Sequence, residues 1–458
     1  MLSITPIASS FKDNNGFVFT QNNLFYRLVA PSYFNDYDLL MGSGLYQQLT
    51  DAQRLITHTE ISNTEFKTAS DNKILLPTQL PFISYPYEWC FYMWQDAAIV
   101  TLKIALQSLM YGMILKDATP FNIQFYNGRP VFIDTLSFTK YEPGSPWVAY
   151  HQFCECILAP LLLMHYNNAD MGKLFLIYPN GIPLNVVKSL LPIKAKFNLQ
   201  VYLHIWLQST ITNTTNKTPT SAANKKLPLQ KLEVLLNGLL NMVANLKPKK
   251  NNSIWQSYYN NTILSTAYLQ AKTAIFNKFT NSINFKSVID LGANDGHFSL
   301  LLKDKASHII ATDFDNNCVS KLYKEIRLQK IKNIVPILST LNAPSPSIGW
   351  QNEERQSLTQ RLKADLVLAL ALVHHLAIAD NIPLQNIANW LHNMCTYLII
   401  EFVPKTDEKV QQLLMHRIDI FENYTLNNFK NIFKNYFEII AEEKIPSTER
   451  ILFLMKKR

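Results

Sequence analysis

The chain has 458 residues, of which 48% are apolar and 17% charged, with a formal net charge of +9. Length favours two or three domains, and the composition is an ordinary globular balance able to build sizeable cores. The five cysteines, Cys90, Cys154, Cys156, Cys318 and Cys395, are too few and too scattered for a disulfide scaffold, and no histidine spacing completes a zinc site around Cys154 and Cys156.

The positive surplus could favour an anionic partner, but much of it comes from scattered lysines, as at 247–250, and reads as a solvated basic surface. The first residues, MLSITPIASSFKDNN, lack a basic region followed by an apolar run and are not expected to be a signal peptide. The longest apolar runs, 157–164 and 366–373, are too short to span a bilayer. A soluble, cytoplasmic protein with no transmembrane segment is expected.

In the first half, Gly42-Ser43-Gly44 lacks the third glycine of a phosphate-binding loop, and Arg27 in FYRLV is the basic residue nearest in kind to a strand lysine. Residues 85–89 are expected to be a packed crossing segment, 94–112 a helix, and the aromatic-rich 146–153 part of a core. Between them lies LKDATPFNIQF (115–125), followed by GRPVFID (128–134). An aspartate, an asparagine five residues on and an apolar strand ending in aspartate resemble the catalytic loop and metal site of the kinase-like fold, in particular its small-molecule and aminoglycoside phosphotransferase branch. That resemblance implies Asp117 at an accepting hydroxyl, Asn122 and Asp134 on magnesium, and ATP in this half. Lys116 and Leu115 depart from the Arg or Gly and the His usual before the aspartate. Two other readings stay open. Asp117 and Asn122 could cap a turn around Pro120, or this half could bind an acceptor and present it to the second half.

From 208 to 226 the sequence is rich in Thr, Asn, Ser and Lys with no aromatic residue, and a mobile linker or surface loop is expected. Residues 227–246 follow with apolar residues at helical spacing. The expected organisation is α+β over 1–205, a polar linker and amphipathic helix over 206–250, and an α/β domain over 251–458. In the last part, 255–261 (WQSYYNN) is a candidate lid, and Lys272 lies on the helix after it. Strands are expected at 287–291, 308–312, 334–338, 364–370 and 397–402, with helices at 298–303 and 316–328 between them. This alternation means βαβ units and a mostly parallel, doubly wound sheet, whose ligands lie at the carboxyl ends of the strands.

Asp290-Leu-Gly292-Ala293-Asn294-Asp-Gly296 follows the first of these strands and opens a helix. Its glycines permit a tight turn close to a ligand, and Asn294, where a third glycine is usual, tolerates left-handed geometry. Asp313 ends the second strand, where a carboxylate can accept hydrogen bonds from ribose hydroxyls. The G-x-G-x-x-G form of nicotinamide dehydrogenases is absent. DLGANDGHFS, the acidic ATD and the strand LVLALALVHHL resemble the class I, Rossmann-like S-adenosylmethionine-dependent methyltransferases, over roughly 255–458. NAPSPSIGW (342–350), LALVHHLAI and EFVPK are similar to a narrower bacterial group of nodulation-type methyltransferases. The resemblance implies that Asp290 and the backbone of Gly292, Ala293, Asn294 and Gly296 hold the methionine part of S-adenosylmethionine, and that Asp313 holds the ribose. Asn342 stands where the family often places an acidic residue near the adenine. Residues 342–350 are expected to be a proline-ordered loop over the cofactor.

Methyl transfer is an in-line displacement, to which an enzyme mainly contributes alignment. A hydroxyl acceptor also needs a base. Either His374 or His375, just past the fourth strand, could act as one or could simply pack there. Glu401 ends the fifth strand and could bind acceptor or cap a turn. Three functions remain: a methyltransferase for a small molecule or saccharide, the same enzyme fused to an active or degenerate kinase-like domain, or a nucleic-acid methyltransferase. Against the third, no RNA-binding module is legible and the basic residues form no stripe with interleaved aromatics. No metal site is expected in the methyltransferase half, and the oligomeric state is not legible.

Overall fold

The computed structural model describes residues 2–62, 66–67, 71–210, 226–249, 266–415 and 418–458. Most of the expected linker and the whole candidate lid at 255–261 lie outside the described residues. The chain divides into two compact units, one of Met1–Asn251 with Pro346–Ser357, the other of Asn252–Ser345 with Leu358–Arg458. No helix among the described residues is long and apolar enough to cross a membrane.

The first unit opens with an antiparallel sheet. Strands β1 (Gly16–Gln21) and β2 (Leu24–Val29) are joined by Asn22 and Asn23, both at positive φ, which matches the twist of a two-residue hairpin. Helix α1 (Phe34–Gly42) follows, then β3 (His58–Ile61) and β4 (Lys73–Pro77), giving the order β1-β2-β4-β3. Helix α2 (Phe91–Met110) is buried along most of its length. Beyond it, β5 (Met113–Leu115) pairs with β8 (Phe138–Lys140), and between these the hairpin β6 (Ile123–Tyr126) and β7 (Arg129–Phe132) turns on Asn127-Gly128, again with positive φ at both. Helix α3 (Leu229–Asn245) buries Leu232, Leu236, Leu239 and Val243 at helical spacing. Gln95 of α2 donates to the carbonyls of Val243 (2.8 Å) and Leu246 (2.9 Å). This helix therefore packs within the first unit and is not part of a linker.

The second unit begins with α4 (Thr266–Asn281) and then alternates β9 (Ser287–Leu291), α5 (His297–Leu301), β10 (His308–Asp313), α6 (Asn316–Gln329) and β11 (Ile334–Leu338). It continues with β12 (Ala364–Ala369), α7 (Leu384–His392), β13 (Cys395–Phe402), α8 (Leu426–Phe433), β14 (Phe437–Lys444) and β15 (Ile451–Lys457). The sheet order is β11-β10-β9-β12-β13-β15-β14, parallel through β13 and antiparallel at β15 and β14. Strands β9 and β11 are buried at every position, as expected when helices cover both faces. The order reverses between β9 and β12, which is the switch point where such sheets open a crevice.

The segment Pro346–Ser357 stands between β11 and β12 in sequence yet belongs to the first unit. Glu354 pairs with Lys12 at 2.7 Å, and the Arg355 guanidinium lies 3.5 Å from the centre of the Phe121 ring. Of the loop expected at 342–350, the part from Pro346 onward thus belongs to the first unit, held there by the Glu354 ion pair and a stacked arginine.

Candidate functional site

The turn between β9 and α5 sits at the carboxyl end of the central strand. Gly292 (φ +70), Asn294 (φ +52) and Gly296 (φ +83) are all left-handed. A Cβ at Gly296 would run into Leu322, and one at Gly292 would approach Leu372 to 3.5 Å. Asp290 is buried, accepts from the Ser299 hydroxyl at 2.7 Å and is pushed up to about 6, mainly by burial. Asp313, at the end of the neighbouring β10, accepts from the backbone N–H of Asn294 (2.8 Å) and of Asp315 (2.9 Å). Burial pushes it up to about 6 as well. The second strand's acid and the turn are thus tied directly to each other. Asn342 is exposed and donates to Asp380 at 2.8 Å, so its amide faces an acid of the chain itself. Ala371, where the chain leaves β12, takes φ +51, a strained conformation for a residue with a Cβ and one that clusters at functional sites.

Glu401 lies near the end of β13. It is wholly buried, pairs with Lys272 of α4 at 2.6 Å, accepts from the Tyr268 hydroxyl at 2.9 Å and lies 3.5 Å from Arg450. Burial would raise its carboxyl, but Lys272 and Arg450 hold it below the usual carboxylate range. Arg450 in turn grips Asp407 with two hydrogen bonds, at 2.7 and 2.9 Å. This fork geometry suits a guanidinium. A cavity of about 760 Å³ opens beside the network, with Tyr268, Ala271, Asp407, Lys409, Lys444 and Arg450 among its lining residues. It lies past the carboxyl end of β13, the same end of the sheet as the glycine turn. Sequence reasoning missed Arg450, Asp407 and Tyr268. Charges in a loop read as solvated, and nothing in STERILF marks Arg450 as buried.

His374 and His375 have ring centres 4.2 Å apart. His374 is fully buried with both ring nitrogens unpartnered, and burial holds it well below its ordinary pKa, with His375, Arg450 and Lys272 adding to the effect. His375 is also lowered by burial, and Asp380 works against that shift. Both rings are neutral near pH 7. The two are therefore unequal: His375 is partly accessible and His374 is not.

In the first unit, Asp117, Asn122 and Asp134 come together. Asn122 donates to Asp117 (3.1 Å) and to Ser137 (3.2 Å), and Ser137 donates to Asp134. Asp117 also accepts from the Thr119 backbone (3.0 Å) and from Gln152 (2.7 Å), and burial raises its carboxyl. Arg27 of β2 reaches Asp134 at 2.8 Å. The loop is anchored by Trp147, whose indole donates to the Leu115 carbonyl at 2.7 Å. Among the described residues, no group of three or more His, Cys, Asp and Glu is placed to hold a metal ion.

No protein-family model matches the chain. Among solved structures it is similar over 45% of its length to PH0226 protein from Pyrococcus horikoshii OT3 (14% identity, 97% of that chain, TM-score 0.33). It is similar over 43% to N-methyltransferase NodS from Bradyrhizobium japonicum WM9 (9% identity, 99% of that chain, TM-score 0.32). It also matches the bifunctional kinase-methyltransferase WbdD over 47% (14% identity, 45% of that chain, TM-score 0.31). At these scores none of the three bears on the fold or the activity. The whole chain, by contrast, aligns with nodulation protein NoeA of Rhizobium meliloti (strain 1021), at 32% identity over 459 residues, 98% of this chain and 96% of the relative. The chain belongs to the family of nodulation protein NoeA.

Proposed function

We propose that the second unit is an S-adenosylmethionine-dependent methyltransferase acting on a small molecule or saccharide. The observation that carries this is the joining of Asp313 to the left-handed turn at the switch point, through the Asn294 N–H. The residues fit the cofactor. Each Asp313 oxygen already accepts one backbone N–H and keeps a further lone pair for a ribose hydroxyl. The backbone from Gly292 to Gly296, together with Asp290, would hold the methionine part. When bound, S-adenosylmethionine supplies an electrophilic methyl group on a sulfonium.

The chain's own residues position the reactants. Lys272 and Glu401 neutralise each other within the buried network. The cavity past β13 offers hydroxyl, carboxylate and cationic groups from Thr406, Asp407, Lys409 and Ser447, which suits a polyhydroxylated acceptor. For a hydroxyl acceptor, His375 is the base: it is neutral near pH 7, whereas His374 is shut inside. Glu401 is a positioning residue that fixes Lys272. Calorimetry of the full chain with adenosylhomocysteine tests the proposal. Wild type should bind, and Asp313→Ala should lose measurable affinity while keeping its melting temperature. A wild type that does not bind, or a variant with unchanged affinity, would sink the cofactor assignment.

A second reading concerns the first unit. Arg27, on the second strand of an antiparallel sheet, meets the last aspartate of an Asp117–Asn122–Asp134 set that folds into one cluster. We propose a kinase-like module in degenerate form, because its carboxylates are engaged by Arg27, Ser137, Asn122 and Gln152. ATP with magnesium should leave the melting temperature of the full chain unchanged, and a magnesium-dependent rise would show that the nucleotide binds and overturn the degenerate reading.

A further inference from the structure

In the first unit, the described stretch that ends at residue 210 forms a knuckle that buries one side and presents an apolar side to solvent. A short 3-10 helix, Ile193–Phe197, leads to Asn198, whose side chain caps the next turn through the N–H groups of Gln200 (3.1 Å) and Val201 (3.3 Å). The helix then runs on through Leu199–Val201 and Tyr202–Leu207. Leu191, Ala195, Val201 and Ile205 point inward and are buried. Ile193, Phe197 and Leu199 are 79%, 84% and 70% exposed, and Leu203 and Leu207 continue the apolar face one turn apart. Single exposed apolar residues are ordinary. Three of this size within 193–199, on a turn already anchored by its other face, form a patch.

The charges in the knuckle's own stretch of chain are one-signed. Lys188, Lys194 and Lys196 are exposed among these side chains, and residues 171–232 contain no aspartate or glutamate. We propose that the knuckle docks on an anionic lipid bilayer. Phe197, Ile193 and Leu199 would sit at the boundary of headgroups and acyl chains, with the lysine ammonium groups at the phosphates. A second copy of the chain docked through the same face is the poorer occupant, since it would set lysine against lysine. A nucleic acid would use the lysines but gain little from isoleucine and leucine tips that cannot stack on bases. The proposal is independent of the methyl-transfer reaction.

The test is co-sedimentation of the full chain with large vesicles of phosphatidylcholine alone or mixed with phosphatidylglycerol. Binding should require the anionic lipid and weaken with added salt. The triple variant Ile193→Ser/Phe197→Ser/Leu199→Ser and the charge variant Lys194→Glu/Lys196→Glu should each lower the partition coefficient at least tenfold. Both should keep the wild-type melting temperature and adenosylhomocysteine affinity, because these side chains lie outside the core. Equal binding to both vesicle types would overturn the proposal, as would a charge variant that binds like wild type. Concentration-dependent dimerisation abolished by the serine variant, with vesicle binding unchanged, would instead assign the patch to a second copy.

Discussion

Glu401→Gln tests the buried network without changing its shape. The substitution leaves Lys272, 3% exposed in its side chain, without its 2.6 Å counter-charge, while Arg450 keeps Asp407. Removing one partner of a buried ion pair costs about 3–5 kcal/mol. In a unit of roughly 200 residues, each kcal/mol lowers the melting temperature by about 2–4 °C, so a fall of about 6–20 °C is expected. The loss has a pH signature. An unpaired, buried lysine has a folded-state pKa below its unfolded value, so the folded state binds fewer protons and the variant regains stability as pH rises toward 10. Wild type should show a smaller rise, because Glu401 offsets only part of the burial that lowers Lys272. In the double variant Glu401→Gln/Lys272→Met, most of the lost stability should return, because no buried charge is left unpaired. Differential scanning calorimetry at neutral and alkaline pH reads all of this. A fall of less than about 1 kcal/mol, together with an additive double variant, would refute the claim that buried charge pairing organises this end of the sheet.

Other outcomes follow from the same geometry. Asp290 and Asp313, raised to about 6 by burial, favour the ligand-free fold fully below their ordinary value of 3.8, and that contribution is lost as pH rises through 6. Ribose hydroxyls need the Asp313 carboxylate, so adenosylhomocysteine affinity should run the other way, falling about tenfold between pH 7 and pH 5. A flat calorimetric profile would contradict the Asp313 role. Gly296→Ala adds a Cβ at φ +83 against Leu322 and should destabilise by about 2 kcal/mol or more, seen as a lower thermal midpoint; a neutral result would mean the turn adjusts freely. Arg27→Met should cost about 1–3 kcal/mol by stranding Asp134, and Arg27→Met/Asp134→Asn should recover most of it in urea unfolding.

The five parallel strands were legible because strands covered on both faces are apolar throughout, and LVLALA could hardly be anything else. Asp313 was legible because it ends such a strand. Strand β14 was not, since FEIIAEEK alternates exposed charges along an edge and resembles a surface segment. The buried charges were hidden for a related reason. Lys272 lies on a helix and Arg450 in a turn, and only tertiary packing removes either from water. The strap Pro346–Ser357 could not be assigned from its residues, because its partners Lys12 and Phe121 lie more than two hundred positions upstream. For the Asp117, Asn122 and Asp134 set, spacing announced the cluster but not that neighbouring side chains would occupy it.

That strap also bears on how this protein could have arisen and how it can be dissected. A twelve-residue stretch, inserted between two strands of one body, completes the other. No single cut in the chain separates the two into intact halves, because either fragment lacks a piece or carries a stray one. The gene cannot be shuffled at one junction without leaving Phe121 bare of its arginine. Limited proteolysis should accordingly find 346–357 protected, although a loop between strands is ordinarily the first place a protease enters.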